Sequence, residues 1–125
     1  NPSWGFSAGD MISTLDDLRR WAVALGTGEG LVSPEMQKQR VASMTSTVPP
    51  NSPAMAYALG FGVSNGWIGH TGELPGFNTS IQFDPRTRTT VLVMVNSDIA
   101  GVNAAGIGID PAPTISGELI AAVVG

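Results

Sequence analysis

The stretch Gly66-Trp67-Ile68-Gly69-His70-Thr71-Gly72-Glu73-Leu74-Pro75-Gly76-Phe77-Asn78 decides how this chain folds. Ser64-Asn65-Gly66 is a turn signal, because Asn and Gly tolerate the positive φ that a tight hairpin requires. Trp67 to Thr71 then reads as a strand. Gly69, Gly72 and Gly76 leave the backbone bare where a ligand could approach closely. A bare strand edge offers a row of amide donors, which suits an extended peptide or an oxyanion. The same glycines would equally serve bends in a twisted sheet.

Upstream, Tyr57, Leu59, Phe61 and Val63 alternate with Ala58, Gly60 and Gly62, the pattern of one strand with a bulky and a bare face. Downstream, Asn78 to Phe83 reads as a further strand. Asp84-Pro85-Arg86-Thr87 reads as a turn with Pro preset at its second position. Thr89 to Val95 is apolar on both faces and should be covered on both sides. A Gly/Ala/Pro-rich stretch follows. Ile115 to Val124 then reads as a helix that is apolar nearly all round and therefore buried.

Helices also precede the strands. Thr14 and Asp17 form a capping-box arrangement, and Asp16 and Asp17 place negative charge at the positive end of the helix dipole. Leu15, Leu18, Ala22 and Leu25 recur at helical spacing, with Gly26 placed to end the helix. Ser33-Pro34-Glu35 starts a second, shorter helix running to about Ser43. Residues 45–53 read as a Ser/Thr/Pro-rich surface loop. The expected fold is α+β, of the α/β sandwich type: an antiparallel sheet of three to four strands flanked by helices.

Composition narrows the function. The 125 residues allow one core, and 42% hydrophobic against 13% charged residues is a globular balance. A net charge of −4, with six Lys and Arg scattered along the chain, argues against nucleic acid. No apolar run approaches the ~20 residues that span a bilayer. There is no Cys, so neither disulfides nor thiolate metal sites are available, and with one His a metal site is poorly supported. No cofactor is expected. His70 alone is more often structural than catalytic, and no G-x-S-x-G elbow is present to expose a nucleophile.

The surroundings of His70 say more. His70-Thr71-Gly72 resembles the third signature of the penicillin-recognising serine hydrolases, written Lys-Thr-Gly in many members and His-Thr-Gly in others. Gly9-Asp10-Met11-Ile12-Ser13-Thr14-Leu15-Asp16-Asp17-Leu18 resembles the family's "gly-gly-met-x-ser-thr" helix start. Tyr57-Ala58-Leu59-Gly60-Phe61-Gly62 is similar to its "tyr-gly-leu-gly-phe" strand. Gly69 to Asn78 resembles its "gly-his-thr-gly-x-x-pro-gly-phe" segment, and Asp84-Pro85 with Val91 to Asn96 its next hairpin. These blocks keep the family order and cover most of residues 4 to 98.

The resemblance implies a serine acyl-enzyme mechanism of the β-lactamase or D-alanyl-D-alanine carboxypeptidase type. By carry-over, Thr71 and Gly72 are substrate-binding, with the Thr71 hydroxyl on the carboxylate of a peptidoglycan-type peptide or β-lactam. His70 supplies a polar or positive group at the reacting centre. The backbone amide of Glu73 is one of two oxyanion-hole donors, each typically worth about 2.7–4 kcal/mol of barrier.

The departures matter as much. No Ser stands three residues before the only lysine, Lys38, and Tyr57 is followed by Ala58-Leu59, so Ser-x-x-Lys and Tyr-x-Asn are both absent. Residues 1–125 therefore read as the carboxyl-terminal segment of a β-lactamase-like domain whose amino-terminal catalytic part is missing. Alone, the chain should hydrolyse nothing at useful rates. The alternatives are a non-catalytic envelope binding or scaffold module and an esterase of the same family. The resemblance also implies a place outside the cytoplasm. Apolar surface exposed on Thr89 to Val95 would lead the chain to self-associate.

Overall fold

Thr14 caps the first helix as its sequence requires. Its hydroxyl lies 2.8 Å from an Asp17 carboxylate oxygen and accepts the Asp17 amide at 3.2 Å. The computed structural model describes residues 2–49, 51–52 and 54–124. Along it run helices α1 (Leu15–Thr27) and α2 (Pro34–Ala42), then strands β1 (Met55–Ala58), β2 (Phe61–Ser64), β3 (Trp67–Leu74), β4 (Phe77–Asp84) and β5 (Thr89–Val95). The short strands β6 (Gly101–Val102) and β7 (Gly108–Ile109) and helix α3 (Pro111–Val124) complete it. A 3-10 segment, Pro2–Ala8, precedes α1 and breaks at Phe6, which has φ 47°. The five longer strands form one sheet in the order β1-β2-β3-β4-β5, and β6 pairs with β7. Helices with an antiparallel sheet make the fold α+β, as expected, with five strands in place of three or four.

The added strand corrects the reading of residues 57–63. Gly60 has φ 82° and turns the chain, so β1 and β2 form a hairpin with Ala58 opposite Phe61 and Tyr57 opposite Gly62. A two-residue turn reverses the parity of the inward face. The buried residues are accordingly Ala56, Ala58 and Phe61, while Tyr57 and Leu59 are exposed. The next turn conforms to its sequence: Asn65 and Gly66 have φ 49° and 85° between paired Ser64 and Trp67.

The residues form two units, one of Asn1–Leu18, Thr71–Ile81 and Val91–Gly125, the other of Arg19–His70 and Gln82–Thr90. In the second unit Leu25, Ala58, Phe61 and Ile68 form the core, with Val63 packed against it. Ser33 caps α2 by accepting the Met36 amide at 3.2 Å. Of the loop expected over 45–53, Pro50 and Pro53 lie outside the described residues; Thr45 bridges to Tyr57 and Ser52 to Met55.

Gly26 is a further correction. It lies inside α1, and the chain leaves the helix at Gly28, with φ 80° and its amide on the Ala24 carbonyl at 2.8 Å. Gly26 is bare because Phe83, fully buried, occupies the space: an added Cβ would collide with the ring at Cδ1 and stand 2.7 Å from Cε1.

In the first unit two buried polar contacts hold α3 to β4. Asn78 accepts the Ala112 amide at 2.9 Å, satisfying an orphan donor of the helix's first turn, and the Ser80 hydroxyl meets that of Ser116 at 3.0 Å. Helix α3 starts at Pro111, four residues before the expected Ile115. Contrary to expectation it is largely exposed: only Ala112 and Ser116 are buried, while Ile115, Leu119 and Val123 face solvent. Its hydropathy supplies the wish for cover, and the described residues cover only the one strip that meets β4. On β5, Val91 and Val93 are buried and Met94 is about half exposed, so the apolar surface expected there is smaller than that of α3.

The turn after β4 is organised by Asp84, which is buried. Its carboxylate accepts the Arg86 amide and guanidinium and the Thr87 hydroxyl at 2.9–3.1 Å. The Arg86 side-chain hydrogen bond, then that residue's backbone amide, hold the carboxyl below its ordinary range.

Two outcomes are expected. Gly26→Ala should destabilise the protein by about 1–3 kcal/mol, the usual range for overpacking, measured by denaturant unfolding. Asp84→Asn should lower the melting temperature at neutral pH. Because the native pKa is depressed, the stabilisation is present above the ordinary carboxylate value of ~3.9 and is lost as pH falls through the native value. The gap between wild type and variant should therefore close in acid, and a gap independent of pH would mean that the charge is not what stabilises the turn.

Candidate active-site strand

His70, Thr71, Gly72 and Glu73 follow one another on β3, and all four are exposed. The pairing of β2 with β3 runs from Ser64↔Trp67 to Gly62↔Gly69, and β3 continues five residues beyond it. The boundary between the two units falls between His70 and Thr71.

On the His70 side, the hairpin built by Gly60 brings Tyr57 to the imidazole. The Tyr57 hydroxyl lies 2.7 Å from His70 Nε2, and the two rings meet edge to face, 5.6 Å apart at 81°. Three anchors place Tyr57. Its backbone exchanges two hydrogen bonds with Thr45, at 2.9 and 3.2 Å. The Leu59 amide donates to the Ser43 hydroxyl at 2.9 Å, and Arg40 Nε donates to the Leu59 carbonyl at 3.2 Å. Arg40 is itself buried, with its guanidinium 5.0 Å from the centre of the Phe61 ring.

On the Thr71 side, Gly72, Glu73 and Leu74 form one wall of a groove of about 910 Å³. Its lining includes the apolar side chains of Met11, Ile12, Phe77 and Met94 and the polar ones of Ser13, Thr79 and Asn96. Nothing stands within 4 Å of a Cβ built on Gly72, so the backbone there is open to a ligand. Pro75-Gly76, with φ 85° at Gly76, turns the chain from β3 into β4 as a Pro-Gly turn does. Among the described residues no three His, Asp or Glu side chains gather to hold a metal ion. No helix among them is long and apolar enough to cross a membrane.

The four residues singled out in the sequence thus lie in series on one strand, and the groove opens on Gly72 and Glu73. Tyr57 was missed. Its distance from His70 in the chain conceals the contact, and the signal that could have found it is Gly60 read as a turn. In the sequence Met11 and Ile12 belong to a helix-start pattern, and the structure places them in the groove lining.

A five-stranded antiparallel sheet with helices defines an α+β domain, on whose β3 the Thr-Gly-Glu segment lies exposed. The family model described as Beta-lactamase matches residues 1–107. The chain belongs to the Beta-lactamase family. No curated protein and no solved structure matches it.

Proposed function

We propose that this chain supplies the substrate-binding wall of a serine acyl-enzyme hydrolase acting on D-alanyl-D-alanine peptides or β-lactams. The observation that carries the reading is the continuous run His70-Thr71-Gly72-Glu73 on β3, with Gly72 and Glu73 opening on a groove. In this reading the Thr71 hydroxyl donates to the substrate carboxylate, and the Glu73 amide donates to the oxyanion that forms when a serine attacks the carbonyl. His70 is the polar group beside the reacting centre. The serine and its base come from sequence outside these 125 residues, because neither Ser-x-x-Lys nor Tyr-x-Asn occurs within them. The enzyme would act at the cell envelope, where such peptides are found.

A fluorescent penicillin added to an extract of the source cells tests this, with the same gel probed by an antibody to this segment. A labelled band longer than 125 residues carrying the antibody signal is expected, while the isolated chain stays unlabelled. In that longer protein Thr71→Val should slow acylation by about 10- to 150-fold, the equivalent of a hydrogen bond to a charged group at about 1.5–3 kcal/mol. A folded longer protein that carries Ser-x-x-Lys and takes up no label would overturn the reading.

A further inference from the structure

The Tyr57–His70 contact carries an inference about the proton on His70. Two neutral arrangements fit a separation of 2.7 Å between the Tyr57 oxygen and Nε2: the phenol donates to a bare Nε2, or an Nε2–H donates to the phenol oxygen. A phenol is a far stronger acid than a neutral imidazole N–H. Its oxygen is also a poor acceptor, because its lone pair is drawn into the ring. The bare imidazole nitrogen is the better acceptor of the two.

We infer that Tyr57 is a positioning residue that donates its hydroxyl proton to Nε2 and so holds neutral His70 in the Nδ1–H tautomer. Tyr57 is well placed for the task. The Thr45 bridge and the Arg40 and Ser43 contacts to Leu59 set its backbone on both sides. The edge-to-face ring contact limits how far the imidazole can turn away. In the neutral ring the single N–H is then the one on Nδ1. On protonation both ring nitrogens become donors, and the phenol must turn to accept from Nε2. The catalytic meaning of this rests on the acyl-enzyme reading above; the tautomer does not.

His70 is the only histidine, so its ring nitrogens give unambiguous signals in a long-range proton–nitrogen correlation spectrum of the untagged, ¹⁵N-labelled chain. The spectrum is recorded over a series of alkaline pH values, and the signals of the neutral ring are compared. The expected result is a protonated-type shift on Nδ1 and a bare-type shift on Nε2. In Tyr57→Phe, which keeps the ring contact and removes only the hydroxyl, the population should move toward the Nε2–H form that a free histidine side chain prefers. A wild-type spectrum already showing Nε2–H overturns the inference, as does a tautomer unchanged in Tyr57→Phe. Failure of the penicillin label alongside the expected spectra would remove the acyl-enzyme reading and leave the role of Tyr57 standing.

Discussion

The placement of Tyr57 against His70 depends on the grip of one buried cation. Arg40 donates to the carbonyls of Leu59 and Leu25, at 3.2 and 3.5 Å, and to the Gln37 side chain at 2.7 Å. Its guanidinium also lies against the Phe61 ring. A charge so placed is tolerable because guanidinium is delocalised and weakly hydrated, and it presents several donors in a fixed fork to meet several acceptors. The hydrogen bonds satisfy those donors, and the ring face favours the positive charge. One side chain thereby ties the end of α1, the body of α2 and the β1–β2 turn together. A lysine, with a compact ammonium and no fork, could not replace all three contacts.

From that grip the geometry follows in sequence. With Leu59 held, Gly60 can make its turn and Phe61 enters the core beside Leu25, Ala58 and Ile68. The same turn puts Tyr57 opposite Gly62, which is paired in turn with Gly69 on β3. Two bare positions in adjacent strands, rather than two bulky ones, carry the chain from Tyr57 to the neighbourhood of His70. The glycines of this region thus serve the sheet as well as leaving the strand open at Gly72, where the reading from sequence allowed either role.

What could be read from the sequence was what local chemistry determines. Thr14 with Asp17, Ser33 with Pro34, Asn65-Gly66 and the Asp84-Pro85 turn all behave as their side chains and backbone preferences require, because each closes its hydrogen bonds within a few residues. What could not be read was set by distant partners. Gly26 suits a helix end, but its reason is the Phe83 ring, which lies 57 positions along the chain. The alternation over 57–63 matches one strand as well as it matches two strands on either side of a turn. The apolar composition of α3 does not say whether a covering surface exists. The contact of Tyr57 with His70 arises only once the hairpin has closed.

With the family assignment, the open Thr-Gly-Glu segment makes β3 the proposed substrate-binding wall. The proposed function puts a bound acyl group on this strand and not on another surface. The most direct measurement is a crystal structure, after reaction with a penicillin, of a protein that carries this segment together with a Ser-x-x-Lys nucleophile. The drug's carboxylate is expected on the Thr71 hydroxyl and its ester carbonyl oxygen on the Glu73 amide. An acyl group seated away from β3, with neither of those donors engaged, would contradict it.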